Sequence, residues 1–267
     1  MQSFSPRQQQ IIALARQTGN VSVDELAQRF EVTPQTIRKD LNDICDARVL
    51  ARTHGGAMVS SGVENLAYEA RRKIAATEKM IIGRHAASLI PNDCSLFINI
   101  GTTTEEVARA LRDHTGLLVI TNNIHVASML MSRPSIDVIL AGGKVRKSDG
   151  GIVGEATADF INQFKVDYAV IGTSAIDEDG SILDFDYREV RVAKAIIGNA
   201  RRVMLVADLI KFERSAPVRI CSLSEMDVFV TDRTPPEAIV NFCRENNVEL
   251  QVADDTTFQN SEIAVNQ

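Results

Sequence analysis

The chain has 267 residues, 45% of them hydrophobic and 24% charged, enough to bury at least one sizeable core and to divide into two domains. Its 15 glycines and 7 prolines exclude collagen-like and low-complexity chains, and 4 cysteines exclude a disulfide scaffold. The net charge of −6 excludes a protein that coats nucleic acid through overall charge, yet residues 1–73 hold 10 Lys/Arg against 8 Asp/Glu, so the remainder carries −8 and the two parts are expected to meet different partners.

The first 60 residues predict three short helices and a hairpin. Helix one is expected over about 5–17, with Pro6 in its first turn, an apolar stripe of Ile11, Ile12, Leu14 and Ala15, and Gly19-Asn20 as its stop. Ser22-Val23-Asp24-Glu25 has the spacing of a capping box and opens helix two, which buries Leu26, Ala27 and Phe30 and ends in a corner at Glu31-Val32. Helix three takes Thr33 as N-cap and Pro34 as first residue, and Ile37, Leu41, Ile44 and Arg48 line one side of it. Gln35, Lys39 and Asn42 point the other way, flanked by Thr36 and Arg38. Residues 49–53 and 57–60 then read as two strands around His54-Gly55-Gly56, a wing after the helices.

Residues 61–77 read as a linker with a charge-dense helical stretch at 69–73. From 78 to 253, strands expected near 95–100, 117–121, 136–141, 168–172, 203–206 and 228–231 alternate with helices near 78–89, 104–113, 123–132, 155–163, 187–200 and 235–246. That alternation predicts an α/β domain with a mostly parallel sheet covered on both faces. The expected division is therefore 1–60, 61–77, 78–253 and a polar tail at 254–267. No apolar run approaches the roughly 18 residues of a spanning helix and MQSFSPRQQQ is no signal peptide, so the cytoplasm is the expected compartment and no membrane partner is expected. Cys45, Cys94, Cys221 and Cys243 form no CxxC pair and the histidines are scattered, so neither metal nor cofactor is expected.

Helix three has the chemistry to read a DNA major groove. Gln35 suits adenine, Arg38 and Lys39 suit guanine or phosphate, and Thr33, Thr36 and Asn42 extend the hydrogen-bonding face, with Arg52 and His54 on the wing for the neighbouring backbone. The plainer reading is a small packing module with solvated charges, in which Arg38 pairs with Asp40 or Asp43. In the second part, Asn99-Ile100-Gly101-Thr102-Thr103-Thr104-Glu105 joins a strand to a helix start rich in hydroxyls, which suits a phosphate monoester, although Thr102-x-x-Glu105 is also an ordinary capping box. Thr121-Asn122, Gly142-Gly143 and Gly172-Thr173-Ser174 follow other strands, Lys194 and Lys211 could neutralise phosphate, and Asp184, Asp186 and Glu189 could accept sugar hydroxyls.

The run VSVDELAQRFEVTPQTIRKDL followed by RTHGGA resembles the DNA-binding domain of the DeoR family of bacterial sugar-metabolism regulators, with Lys39 where the family often has a second arginine. Residues 68–232 resemble that family's effector domain, which is similar in fold to ribose-5-phosphate isomerase and is taken to bind phosphorylated sugars. The resemblance implies effector-binding roles for Gly101, Thr102, Thr103, Thr104, Thr121, Asn122, Gly142, Gly143, Lys194 and the stretch from Asp208 to Lys211 and Phe212; Asn99 stands where the family usually has Asp. Within the family, GGIVGEATADFI (150–161) and LDFDYREVR (183–191) look most like the branch that answers to sn-glycerol 3-phosphate. The implied protein is a repressor of glycerol metabolism genes, not an enzyme, that binds double-stranded operator DNA as a homodimer or homotetramer and is released by that effector. The alternatives are a different sugar phosphate or an isomerase-type enzyme.

Overall fold

The computed structural model describes residues 4–18, 20–46, 49–53, 55–59 and 68–253. The expectations placed on Arg48, His54, residues 60–67 and the tail at 254–267 lie outside them. The chain divides into two compact units, Met1–Ile74 and Ala75–Gln267.

In the first unit, α1 (Pro6–Thr18), α2 (Val23–Arg29) and α3 (Pro34–Asp46) pack against a small antiparallel sheet of β1 (Asn20–Ser22), β2 (Leu50–Thr53) and β3 (Gly56–Val59), and α4 (Tyr68–Lys73) follows. The core is the predicted stripe: Ile11, Ala15, Ile37, Leu41 and Ile44 are fully buried, each worth about 1.5–3 kcal/mol in the larger cases. Ser22 Oγ accepts the Glu25 amide at 3.2 Å and Thr33 Oγ1 accepts the Thr36 amide at 3.3 Å, so both predicted caps form. α1 ends at Thr18, just before the expected stop, and Asn20 also starts β1, which pairs with β3 and adds a strand to the wing. Three residues with one buried side chain are too short for any periodicity to announce. Gly56 is forced by that pairing, since a Cβ there would strike the Val21 carbonyl.

The second unit holds a seven-stranded parallel sheet in the order β15-β14-β12-β9-β4-β5-β6, built from β4 (Ser95–Ile98), β5 (Leu117–Thr121), β6 (Ile136–Leu140), β9 (Val166–Ile171), β12 (Ala200–Val206), β14 (Val228–Thr231) and β15 (Glu249–Val252). One face is covered by α5 (Ala76–Ser88), α6 (Thr102–Ala110) and α7 (Ile124–Leu130), the other by α8 (Glu155–Ile161), α9 (Tyr187–Gly198) and α10 (Glu237–Glu245). Strand residues alternate between the two: Leu96 and Ile98 join the first layer, Phe97 the second. The parallel α/β expectation holds. It omitted β15, a polar edge strand, a hairpin of β7 (Lys144–Val145) and β8 (Ile152–Val153), and a small antiparallel sheet of β10 (Ala175–Ile176), β11 (Ser181–Asp184) and β13 (Val218–Ser222).

The chain starts this sheet in its middle. From β4 it runs outward through β5 to β6, then returns to the other side of β4 and runs outward again through β9, β12, β14 and β15. The border between β4 and β9 is therefore the switch point, and the loops leaving their carboxyl ends diverge there.

The β7–β8 hairpin lies against those loops. Asn122 exchanges bonds with Ile152, and Gly151 presses on Ile100 so closely that a Cβ would sit 2.5 Å from Ile100 Cδ1. On its other side Arg146 ties the hairpin to the start of α9: it holds Asp149 at 2.7 Å, Glu189 at 2.6 Å and Asp186 at 3.3 Å. Burial by itself would push the guanidinium down, but the bond to Asp149 and the charges of Glu189 and Asp149 outweigh it and hold the pKa above its ordinary value. Asp186 is held below the usual carboxylate range by its bond with Arg188, against the opposing effect of burial, and further by Arg146.

Ile44→Ala should cost about 2–5 kcal/mol in the first unit, read as an earlier urea transition of that unit while the second unit's transition stays put. Arg146→Met should cost the second unit about 3–5 kcal/mol at pH 7, because it leaves carboxylates buried without their cation. A depressed carboxylate contributes stability that is present above its unfolded value and lost as pH falls through its folded one, so the gap in Tm between wild type and Arg146→Met should narrow below about pH 4.

Candidate functional site

Two sets of groups are arranged for binding, one in each unit. In the first, two of the three acids of α3 are engaged from within. Arg7 Nε donates to Asp40 Oδ2 at 2.6 Å, with Asp40 nearly buried, and Gln8 Nε2 donates to Asp43 Oδ2 at 3.1 Å. The bond to Asp40, outweighing burial, raises the pKa of Arg7. Because α1 engages both carboxylates, neither Arg38 nor Lys39 forms an ion pair among the described residues, and the plainer pairing of Arg38 with Asp40 or Asp43 is not what the fold makes. Gln35, Arg38, Lys39 and Asn42 are all exposed along one side of the helix. Thr33 and Thr36 sit at its start with their hydroxyls 2.9 Å apart, and Arg52 is exposed on β2. This leaves a row of donors and cations beside a positive helix end, the arrangement a polyanionic groove requires.

In the second unit the groups gather at the switch point. Gly101 is the N-cap of α6 with φ 154° and ψ 149°, a conformation that favours glycine, and it supplies no side-chain cap. The amides of the first turn, Thr102 to Thr104, therefore have no intrahelical acceptor and face the strand ends. Beside them the turn after β9 comes close: a Cβ on Gly172 would lie 3.7 Å from the Ile100 carbonyl. The alternative Thr102-x-x-Glu105 capping box does not form, because the cap of α6 is Gly101 and Thr102 is already helical; the Glu105 carboxylate accepts from Asn123 Nδ2 at 3.2 Å.

The expected effector residues separate into distinct tasks. Gly101, Thr102 and Thr103 line the turn. The hydroxyl of Thr104 is turned inward to the carbonyls of Asn99 and Gly101 at 2.7 and 2.8 Å, and that of Thr121 donates to Ile98 O at 2.6 Å, so both serve the backbone. Asn122 is fully buried, donating to Ile152 O. Gly142 and Gly143 are exposed after β6, and Gly143 at φ 149° would drive a Cβ to 2.2 Å from Thr157 Oγ1. Asp184 is buried and accepts from Ser174 Oγ at 3.0 Å and from the Phe185 amide at 2.6 Å. Asp186 and Glu189, expected as sugar-hydroxyl acceptors, are engaged by Arg146. Lys211 is nearly buried in the turn after β12. Lys194 stands apart: it is exposed on α9, lining a cavity of about 340 Å³ with Ile197, Cys221 and Glu225, where burial drives the Cys221 thiol up to about 12. Sequence reasoning missed Arg146 and Asp149, since one Arg and one Asp three apart in a loop carry no signal until α9 is brought beside them.

Comparisons with known proteins agree with this two-part layout. Residues 7–62 match the DeoR-like helix-turn-helix domain and residues 74–233 the DeoR C terminal sensor domain. Over 242 residues the chain is 47% identical to the glycerol-3-phosphate regulon repressor of Escherichia coli (strain K12), a span covering 91% of this chain and 96% of that protein. The protein of the same name from Haemophilus influenzae is 47% identical over 246 residues, covering 92% of this chain and 96% of that one. Among solved structures, ribose 5 phosphate isomerase A from Neisseria gonorrhoeae aligns with a TM-score of 0.38 and 13% identity over 50% of this chain and 52% of that one. The sensor-domain match spans more than half of the sequence and the relatives match nearly all of it, so the chain belongs to the DeoR family of regulators.

Proposed function

We propose that this protein is a cytoplasmic transcriptional repressor of glycerol and glycerol-3-phosphate metabolism genes, binding operator DNA through α3 and the wing and leaving it when sn-glycerol 3-phosphate occupies the turn between β4 and α6. The observation that carries the reading is the outward face of α3. Asp40 and Asp43 are engaged by Arg7 and Gln8 while Gln35, Arg38, Lys39 and Asn42 stand exposed, and this occurs in a chain 47% identical to a glycerol-3-phosphate regulon repressor. His54, which follows β2 in the sequence, is proposed as a further DNA contact. A homodimer or homotetramer fits, because two-fold assemblies match two-fold operators.

The effector end has matching chemistry. A phosphate monoester is met by the first-turn amides of α6, by the hydroxyls of Thr102 and Thr103, and by Lys211 in the turn after β12. Gly142, Gly143, Asn122, Thr121 and Thr104 shape that mouth, and Asp184 holds the turn after β9 through Ser174. Regulation is favoured over isomerisation because the matches over nearly the whole chain are to regulators, and Asp184, Asp186 and Glu189, the carboxylates expected to serve as a base, are each engaged. For a ligand to empty the operator it must prefer the released state; moving a 1:99 balance to 99:1 takes about 5.5 kcal/mol, within reach when several subunits each bind one.

Arg38→Ala should weaken operator binding by about 1–3 kcal/mol while effector affinity stays unchanged, measured by fluorescence anisotropy and calorimetry, and operator affinity of the wild type should fall steeply as salt rises. A salt-independent affinity would contradict the DNA reading. Thr102→Asp keeps an acid where a helix start favours one but repels phosphate, so this variant should fold and bind operator yet ignore sn-glycerol 3-phosphate in a release assay.

A further inference from the structure

The seven-stranded sheet ends in two edges of different character. β15 is polar: Glu249 accepts from Arg202 Nη2 at 2.6 Å and from Gln251 Nε2 at 2.7 Å, and Gln251 Oε1 lies 3.2 Å from His85 Nε2. β6 reads Ile136-Asp137-Val138-Ile139-Leu140, with a single charge, and among the described residues it pairs with β5 alone. Proteins ordinarily blunt an apolar edge with charges, proline or a covering loop, because its unpaired N–H and C=O groups invite another strand.

Hydrogen bonds at the two ends of β6 identify the groups left over. Ser135 O accepts from Leu117 N at 3.3 Å and Ala141 N donates to Thr121 O at 2.8 Å, so the odd-numbered residues turn their backbone groups to β5, and Ile136, Val138 and Leu140 turn theirs outward. Side chains add to the same edge. Leu140 is 42% exposed at the end of the strand, and Met131 is 73% exposed just after α7, the helix that connects β5 to β6 and packs against both.

A second copy of β6, running antiparallel about a two-fold axis, answers each of these features. Charge and the free groups select its register. An axis at Asp137 sets two carboxylates face to face, and an axis at Val138 sets each carboxylate against the partner's Ile139. An axis at Ile139 avoids both: the isoleucines meet as a β-branched pair, Val138 exchanges hydrogen bonds with the partner's Leu140, and Asp137 lies opposite the small side chain of the partner's Ala141. The two carboxylates then stand four residues, about 13 Å, apart along the strands. The layer above closes as well. With strands about 4.8 Å apart, a helix seated between β5 and β6 and its symmetry mate lie about 10 Å from one another, the spacing of packed helices. Ser128 and Met131, exposed on this side of the sheet, are a small residue and an adaptable one.

We infer that the β6 edge, with the exposed end of α7, is the surface through which two copies of this chain join, their sheets continuing as one about an axis at Ile139. The inference rests on the homo-oligomer reading above and names the surface that carries it. A two-fold pairing of this kind is self-complementary and leaves no free edge on that side of the sheet.

The test uses the full-length protein, light scattering and non-reducing electrophoresis. Directly opposed residues of a non-hydrogen-bonded antiparallel pair have Cα atoms about 4.5 Å apart, within disulfide range. Ile139→Cys should therefore form a covalent dimer under mild oxidation, well above the level reached by Asp137→Cys or by the wild type through its own 4 cysteines. Leu140→Lys places a charge at an exposed position and should halve the mass measured for the wild type at the same concentration. Val138→Pro removes only an outward N–H and should halve it too, which covers the case in which the lysine variant does not fold; melting transitions check the fold of every variant. A folded Leu140→Lys or Val138→Pro protein that keeps the wild-type mass overturns the inference, as does an Ile139→Cys protein that gives no more covalent dimer than Asp137→Cys, and neither result touches the homo-oligomer reading. A wild type that is monomeric at every concentration sinks that reading and the inference together.

Discussion

The pairing of β9 with β4 decides where this chain can hold a ligand. Because β4 hydrogen-bonds to β5 on one side and β9 on the other, the loops leaving β4 and β9 run to opposite faces, and a crevice opens between them without any side chain having to be moved. Gly101 caps α6 at the floor of that crevice, Gly172 approaches Ile100 at its side, and Gly151 closes it from above. If β9 paired anywhere else, the same threonines would head an ordinary helix, with their amides turned to bulk water.

The charge distribution around that crevice fits the proposed phosphate ligand in a unit that is itself acidic. Asp149, Asp186 and Glu189 are gathered on Arg146, and Glu105 accepts from Asn123, so these four carboxylates are committed to holding loops together. In the proposed site, what meets the phosphate is main-chain N–H at a helix start, preorganised by the fold. The same network ties the β7–β8 hairpin to α9, so a ligand that shifts the hairpin also shifts the first turn of that helix.

The first unit solves a related problem with opposite sign. A helix that must face a polyanion carries three acids of its own, Asp40, Asp43 and Asp46, and two of them would weaken its attraction if left on the outer face. Arg7 and Gln8, in the first turn of α1, engage Asp40 and Asp43 and tie α3 to α1 at the same time. Packing and electrostatics are thus served by the same contacts, with Ile37, Leu41 and Ile44 providing the apolar half of the interface.

Much of this was legible in the amino-acid order alone, because it depends on neighbours within a turn or two. The caps at Ser22 and Thr33, the buried stripe of α3 and its polar opposite face, and the alternation that makes a parallel sheet all follow from periods of 3.6 and 2 residues. The short strands did not show themselves, since β1, β7, β8 and β10 have two or three residues each and owe their existence to a partner across the sheet. Residue types pointed to strand-end turns that the fold brings near one another in the second unit, but not to who does what there: Thr104 and Thr121 bond to the backbone, Lys194 stands elsewhere, and Arg146 becomes a hub only because α9 folds back beside the hairpin. Local order determines which elements form and which side of each is apolar; only the tertiary structure decides which polar groups are consumed by holding it together and which remain for a ligand, because hydrogen bonds between residues dozens of positions apart are allotted by strand order and not by spacing along the chain.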